Sequence, residues 1–326
     1  MSFSSRVKEE IARQRSSARH CCIAEFAAIF HLCGRIKQRD GKNLFVEIHT
    51  ENLTVAQKSY ILLRNAFNVQ VDITVRRHPV RMSGASYFLY VFEKRDVVLI
   101  LKAIKMLDEE GNLWGDSQKI HRRLVQNTCC KRAYLRGSFL VAGSITNPEK
   151  AYHLEIAVQS RQYAEQLQEL SASFGVGAKI VERKKYFVLY MKEGSQIVDF
   201  LNVMEAHLAL MELENVRILK EVRNSVNRQV NCETANIGKT VTAAARQIED
   251  IRYIQCHMGF SQLADGLQEI AELRMEYPDS SLQELGEKAS PPISKSGVNH
   301  RLRKISKIAD QMREKRFPCQ KEEKEP

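Results

Sequence analysis

The chain has 326 residues, of which 44% are hydrophobic and 27% charged, with a formal net charge of +11. That length admits two or three domains with sizeable cores, and the balance is ordinary for a soluble globular protein. The excess of cations favours a polyanionic partner, although charge alone carries only non-specific attraction. No apolar run is long enough to span a bilayer, and the opening MSFSSRVKEEIARQ lacks the apolar core of a secretion signal, so a cytoplasmic protein without a membrane partner is expected.

Residues 1–20 read as a short amphipathic helix with Val7 and Ile11 on one side. The stretch CCIAEFAAIFHLCGRI, residues 21–36, is apolar almost all round, as in a buried helix. Period-two alternation marks strands at Leu44–His49, Val69–Val75 and Tyr87–Phe92, with helices at Thr54–Phe67 and about Asp96–Leu107. The order is αβαββα. After a break at Gly111–Ser117 it repeats: an apolar helix at 129–145, a strand at Tyr152–Val158, and a helix at Ser160–Phe174. Strands at Ala178–Glu182 and Tyr186–Met191 and a helix from Gln196 complete it. Aligning Gly34 with Gly143 pairs Ala24 with Ala133, Phe30 with Phe139 and Ile36 with Ile145, which identifies a duplication.

Beyond about Asn215 the pattern is purely helical. Asn224, Asn227, Arg228 and Asn231 form a polar stripe; Ile237, Val241, Ala244, Ile248 and Ile251 form an apolar one. Leu263, Leu267 and Ile270 mark another helix, ended by Pro278. At 281–312 two helices flank a corner. The first carries Leu282, Leu285 and Ala289 on one face and ends at Pro291 and Pro292, with Gly286 at a point suited to close approach. The second, capped by Ser294 or Ser296, has an apolar stripe of Val298, Leu302, Ile305, Ala309 and Met312. Its opposite face holds Ser296, Asn299, His300, Arg303, Lys304 and Lys307. This is the order of a helix-turn-helix, whose second helix presents base-reading side chains to the major groove of double-stranded DNA. Asn299 suits adenine, Arg303 suits guanine, and Arg301 and Lys304 suit phosphates.

The basic run Lys119, Arg122, Arg123, Lys131, Arg132 and Arg136 contains no acid, and Arg76, Arg77, His78 and Arg81 form a second basic loop. Arg122, Arg123, Arg132, Asn227, Arg228 and Lys239 are candidate contacts to the DNA backbone. The eight cysteines stand at 21, 22, 33, 129, 130, 232, 256 and 319. None forms a C-x-x-C pair, and the vicinal pairs lack the usual zinc-ligand spacing, so reduced and mostly buried thiols are expected, with no metal and no cofactor.

The nonapeptides FAAIFHLCG (Phe26–Gly34) and LRGSFLVAG (Leu135–Gly143) resemble the paired LAGLIDADG helices of homing endonucleases. The small residues Ala28 and Gly137 stand where close helix approach is needed. That resemblance implies curved antiparallel sheets and, in active enzymes, a metal-binding acid before the last Gly. Here those positions are Cys33 and Ala142, and the earlier acidic positions are His31 and Leu140. A thiol and a methyl group are not hard oxygen ligands, so no catalytic residue is expected.

The stretches FSSRVKEEIAR (Phe3–Arg13), NRQVNCETANIGKTVTAAARQ (Asn227–Gln247) and LGEKASPPISKSGVNHRLRKI (Leu285–Ile305) resemble the bacterial WhiA family across essentially the full chain. The resemblance implies a non-catalytic DNA-binding regulator of sporulation, or of cell division and chromosome segregation, associated with the nucleoid. Transcription machinery or another regulator would be a further partner. A division scaffold with mainly protein partners is the main alternative, and an active endonuclease the remote one. The expected fold is α+β: an N-terminal helix (1–20), LAGLIDADG-like repeats at 21–115 and 116–214 with antiparallel sheets, an all-α helix-turn-helix domain at 215–316, and a charged tail at 317–326.

Overall fold

Helix α1 (Phe3–Arg13) starts at Ser2, whose Oγ accepts the Ser5 N–H at 3.1 Å, and it buries Phe3, Val7 and Ile11 along one side. Helix α2 (Arg19–Cys33) has no polar side to turn outward and is enclosed through most of its length. The computed structural model describes residues 1–16, 18–39, 43–77, 84–108, 110 and 119–316. The expected tail at 317–326, the join at Gly111–Ser117, and His78 and Arg81 of the second basic loop lie outside the described residues.

Strands β1 (Gly34–Arg39) and β2 (Asn43–Thr50) follow α2, then α3 (Leu53–Phe67), β3 (Asp72–Arg77), β4 (Ala85–Val91) and α4 (Lys94–Ala103). The second half repeats this as α5 (Thr128–Ala142), β5 (Gly143–Ile145), β6 (Leu154–Val158), α6 (Arg161–Ala172), β7 (Lys179–Arg183), β8 (Tyr186–Met191) and α7 (Gly194–Val203). Each half holds an antiparallel sheet, ordered β1-β2-β4-β3 and β5-β6-β8-β7. The fold is α+β, as the alternation indicates, but each half has one strand more than expected. The apolar runs at 21–36 and 129–145 are not single helices. Each stops at its glycine, where the backbone turns extended (Gly34 φ −87°, ψ 153°; Gly143 φ −82°, ψ 152°), and Ile36 and Ile145 continue in strands.

The two halves share one core. Phe26, Phe30, Tyr134 and Phe139 from the paired helices meet Ile48 and Leu89 of one sheet and Ile156 and Leu189 of the other. Strands β4 and β6 pack one face inward and leave the other nearer to solvent, so their alternation is visible, whereas β3 is exposed on both faces.

Helix α8 (His207–His257) is one continuous helix of 51 residues, not the two that the separate stripes suggest. Its stripes change from polar to apolar, yet no proline interrupts it and Gly238 is tolerated inside it. Glu10 accepts the N–H groups of Leu208 and Ala209 at 2.7 and 3.0 Å, satisfying donors that the helix start leaves open. The chain divides into two compact units, 1–221 and 222–326, at a point inside α8. Ala209 and Leu213 belong to the first unit's core, Ile251 and Ile254 to the second's. The second unit continues with α9 (Asp265–Glu276), α10 (Leu282–Lys288) and α11 (Lys295–Arg316), closed around Leu267, Ile270, Leu285, Val298, Leu302 and Ile305. Among the described residues, no helix is long and apolar enough to cross a membrane.

Candidate nucleic-acid interface

Helix α10 begins with a capping box. Ser281 Oγ accepts the Glu284 N–H, and Glu284 Oε2 accepts the Ser281 N–H at 2.7 Å. It ends before Pro291, and the chain turns tightly onto α11. A side chain at Gly286 would place its Cβ 2.3 Å from the carbonyl oxygen of Ile293, so only glycine fits this crossing. The Ile293 N–H donates to the Gly286 carbonyl at 2.9 Å, and Ser294 Oγ caps α11 by accepting from Gly297 N–H at 3.2 Å. Of the two serines considered as caps, Ser294 holds that role and Ser296 stands exposed.

Val298, Leu302, Ile305 and Ala309 bury one side of α11, and Met312 packs against the same core. The other side presents Ser296, His300, Arg303, Lys304 and Lys307 to solvent, with Asn299 half-buried beside them. Lys295, in the first turn and also exposed, extends this face; the sequence reading passed over it. No carboxylate pairs with Arg303, Lys304 or Lys307 among the described residues. Arg301 is different. Its Nη1 donates to the Gly266 carbonyl at 3.3 Å and lies 3.7 Å from Glu269 Oε2, so it is turned against α9, away from the phosphate-facing position expected of it. Glu269 also accepts the Ser290 N–H of the corner at 2.6 Å. One carboxylate thus ties α9 to both the corner and α11. Arg313 is likewise committed inside the unit, 2.7 Å from the buried Asp250 and 4.8 Å from the Tyr253 ring centroid.

In the first unit, Arg122 and Arg123 are exposed in a single 3-10 turn, and Arg132 is half-buried with its guanidinium 5.5 Å from the Phe174 ring centroid. Arg136 does not belong to this basic surface. It is buried, with Nε 3.1 Å from Glu25 Oε1 and Nη1 2.5 Å from Glu205 Oε2. Burial pulls its guanidinium down, but Glu25 and Glu205 reverse that and leave it raised. Lys58 Nζ is also 3.1 Å from Glu25, and here burial prevails and lowers the ammonium. Asn227, Arg228 and Lys239 are exposed on α8 in the second unit.

Across the seam between α2 and α5, Gly137 faces Ala28, as the motif requires: a Cβ on Gly137 would stand 3.0 Å from that of Ala28 and 2.6 Å from the Glu25 carbonyl oxygen. Glu25, the only carboxylate of the two helices, is fully buried between Lys58 and Arg136. At the C-terminal end, Cys33 Sγ donates back to the Ile29 carbonyl at 3.2 Å. His31 Nδ1 lies 2.6 Å from Tyr134 Oη, which lies 3.0 Å from Tyr163 Oη. Burial draws the His31 imidazole down to about 4.

These two features, a duplicated LAGLIDADG-like body and a helix-turn-helix with a free cationic face, are matched along the chain by three family models. They are the WhiA N-terminal LAGLIDADG-like domain at residues 19–107, the WhiA LAGLIDADG-like domain at 131–223, and the WhiA C-terminal HTH domain at 226–309. The chain is 53% identical over 314 residues to a probable cell division protein WhiA of Lachnoclostridium phytofermentans, across 96% of this chain and 100% of that one. The chain belongs to the WhiA family. A second WhiA relative, from Alkaliphilus oremlandii, is 49% identical over 96% of this chain and 98% of its own, and it too is named a probable cell division protein. The crystal structure of full-length DUF199/WhiA from Thermatoga maritima shares the fold, with a TM-score of 0.58 at 24% identity, over 95% of this chain and 99% of that one.

Two further features of the chain are not among those expected from the sequence. Phe45, Phe88, Tyr90 and Phe92 form an aromatic row on the outer face of the first sheet, with centroid spacings from 5.4 to 6.2 Å, and Arg76 lies 4.9 Å over Phe88. The alternation Phe88, Tyr90, Phe92 was the available signal. The thiols are less buried than expected: Cys129, Cys232 and Cys256 are exposed, and Cys21, Cys129 and Cys130 gather with His20.

Proposed function

We propose that this chain is a non-catalytic, sequence-specific DNA-binding regulator of cell division and chromosome segregation or of sporulation genes, acting at the nucleoid. What carries the reading is the outward face of α11: Ser296, Asn299, His300, Arg303, Lys304 and Lys307 stand on a rigid helix clear of its own core. Side chains near the start of such a helix reach base edges, and those further along meet phosphates. Asn299 and Arg303 are assigned to bases, Ser296, His300, Lys304 and Lys307 to the backbone. Arg122, Arg123, Arg132, Asn227, Arg228 and Lys239 are assigned weaker backbone contacts. Non-catalysis rests on Cys33 and Ala142, whose side chains cannot hold a hard divalent ion.

The test is affinity for a specific and a scrambled duplex across a salt series. Arg303→Ala is expected to lose about 1–3 kcal/mol on the specific site and far less on the scrambled one. Lys304→Ala should weaken both alike and reduce the salt slope by about one unit. If Arg303→Ala binds both duplexes as the parent does, α11 is not the reading helix.

A second reading, a scaffold with mainly protein partners, has the half-buried aromatic row of the first sheet, with Phe92 exposed at its end, in its favour, because aromatic residues are enriched at protein interfaces. Phe88→Ala with Tyr90→Ala separates the two: a division defect with DNA affinity intact favours the scaffold.

A further inference from the structure

His20 and Cys21 are the second and third residues of α2, and Cys129 and Cys130 the second and third of α5. The duplication that superposes Gly34 on Gly143 superposes these pairs as well, so each half places two metal-ligand side chains at one repeat position. The paired helices bring the two positions together. His20 Nδ1 lies 3.1 Å from Cys130 Sγ and 3.3 Å from Cys21 Sγ, and all four ligand atoms lie within 4.8 Å of one another. One turn further on, the helices meet through Ala24 and Ala133, both fully buried, which holds the pairs close.

We propose that His20, Cys21, Cys129 and Cys130 form a tetrahedral site for one divalent zinc-class ion that clamps the N-terminal ends of the two LAGLIDADG-like helices together. Zinc bonds of about 2.3 Å to sulfur and about 2.0 Å to nitrogen span a tetrahedron with edges of roughly 3.3–3.8 Å, within reach of the observed separations after small rotamer shifts. The donor set is three thiols and an imidazole with no carboxylate, which selects a borderline-soft ion over magnesium or calcium. Cys21 and Cys130 are buried and form the floor; His20 and Cys129 are exposed and leave an entry path for the ion. The usual sequence signature is absent because the ligands come as two adjacent pairs from different repeats, and the helix pairing supplies the convergence that a C-x-x-C loop normally supplies. The consequence is structural: the ion links residues far apart in the chain at the opposite end of the seam from Cys33 and Ala142, and so stabilises the duplicated body.

The experiment uses the full chain, freed of metal and reduced with a phosphine, and titrated with cobalt(II). The expected result is one cobalt per chain, with the intense visible bands of a tetrahedral ion and sulfur-to-metal charge transfer, all abolished by added zinc. Zinc should also raise the melting temperature of the metal-free protein. Cys129→Ser removes a solvent-exposed ligand with little risk to the core and should weaken binding by at least about tenfold, as should His20→Ala. Cys232→Ser and Cys256→Ser, exposed on α8, should bind as the parent does. Circular dichroism confirms that each variant is folded. The proposal is overturned by a parent protein that takes up no tetrahedral cobalt, by a cobalt spectrum that survives Cys129→Ser in the folded protein, or by a disulfide joining Cys21 to Cys129 or Cys130 in protein alkylated directly from cells.

Discussion

Between α2 and α5 the charges lie inside: Glu25 is fully buried, and Lys58 and Arg136 each approach it to 3.1 Å. Between α10 and α11 they lie outside, with Arg303, Lys304 and Lys307 in water and the crossing itself closed by Gly286 against Ile293. Both pairs use a glycine to let backbones touch, so close packing does not distinguish them. The sorting of charge does. A cation enclosed with its counterion is spent on the fold; a cation on an unpaired helix face is available to a polyanion.

The largest effect should come from breaking the enclosed set. Glu25→Ala leaves the buried Lys58 without a carboxylate and Arg136 with only the half-exposed Glu205, and should destabilise the first unit by about 3–5 kcal/mol. Urea unfolding measures it, and the triple variant Glu25→Leu, Lys58→Met, Arg136→Met should recover most of the loss, because apolar groups of similar size need no counterion. A Glu25→Ala protein as stable as its parent would mean the seam is wet. Gly137→Leu attacks the same seam sterically. Its Cβ meets a backbone oxygen, which cannot swing aside as a side chain does, and about 1–3 kcal/mol or more should be lost.

His31 contributes through pH. Its imidazole is held down to about 4 in the fold by burial and titrates near 6.5 when unfolded. Between those values the unfolded chain binds the proton and the folded one does not, so stability falls as pH falls from about 6.5 towards 4. The slope from this group is at most about 1.4 kcal/mol per pH unit, and above about pH 7 it adds nothing. His31→Gln should flatten that limb of the stability curve. An unchanged slope would place the proton uptake on other groups.

The strong periodicities were legible: α3, β2, β4 and α6 follow stripes that one buried face imposes, and α11 shows its apolar side at Val298, Leu302 and Ile305. Helices α2 and α5 are enclosed on all sides, so their period vanishes and their ends carry no signal; the starts of β1 and β5 are therefore indistinguishable from the apolar runs that precede them. Helix α8 was divided because its middle is exposed on every side, and a change of stripe imitates a break. Charge runs misled in another way. Arg136 and Arg301 stand in basic stretches, yet their partners, Glu25 and Glu269, come from other elements, and the cluster of His20 with three cysteines depends on helix pairing for the same reason.

Arg301 gives the smallest expected effect and the sharpest distinction between the two uses of charge. In the fold it is a brace: it donates to Gly266 and faces Glu269, which also holds the corner at Ser290. The group is partly exposed, so Arg301→Ala should reduce the stability of the second unit by only about 0.5–1 kcal/mol. It should lower specific affinity modestly, by loosening the seat of α11, while the salt slope stays that of the parent. Glu269→Ala should do the same, because it removes the other end of the brace. A phosphate-binding Arg301 would behave otherwise. Its loss would lower the salt slope by about one unit, and Glu269→Ala, by removing a nearby acid, would tighten binding to every duplex. Measuring both variants on specific and scrambled DNA across a salt series decides between brace and contact: equal, salt-independent losses support the brace, and opposite signs exclude it.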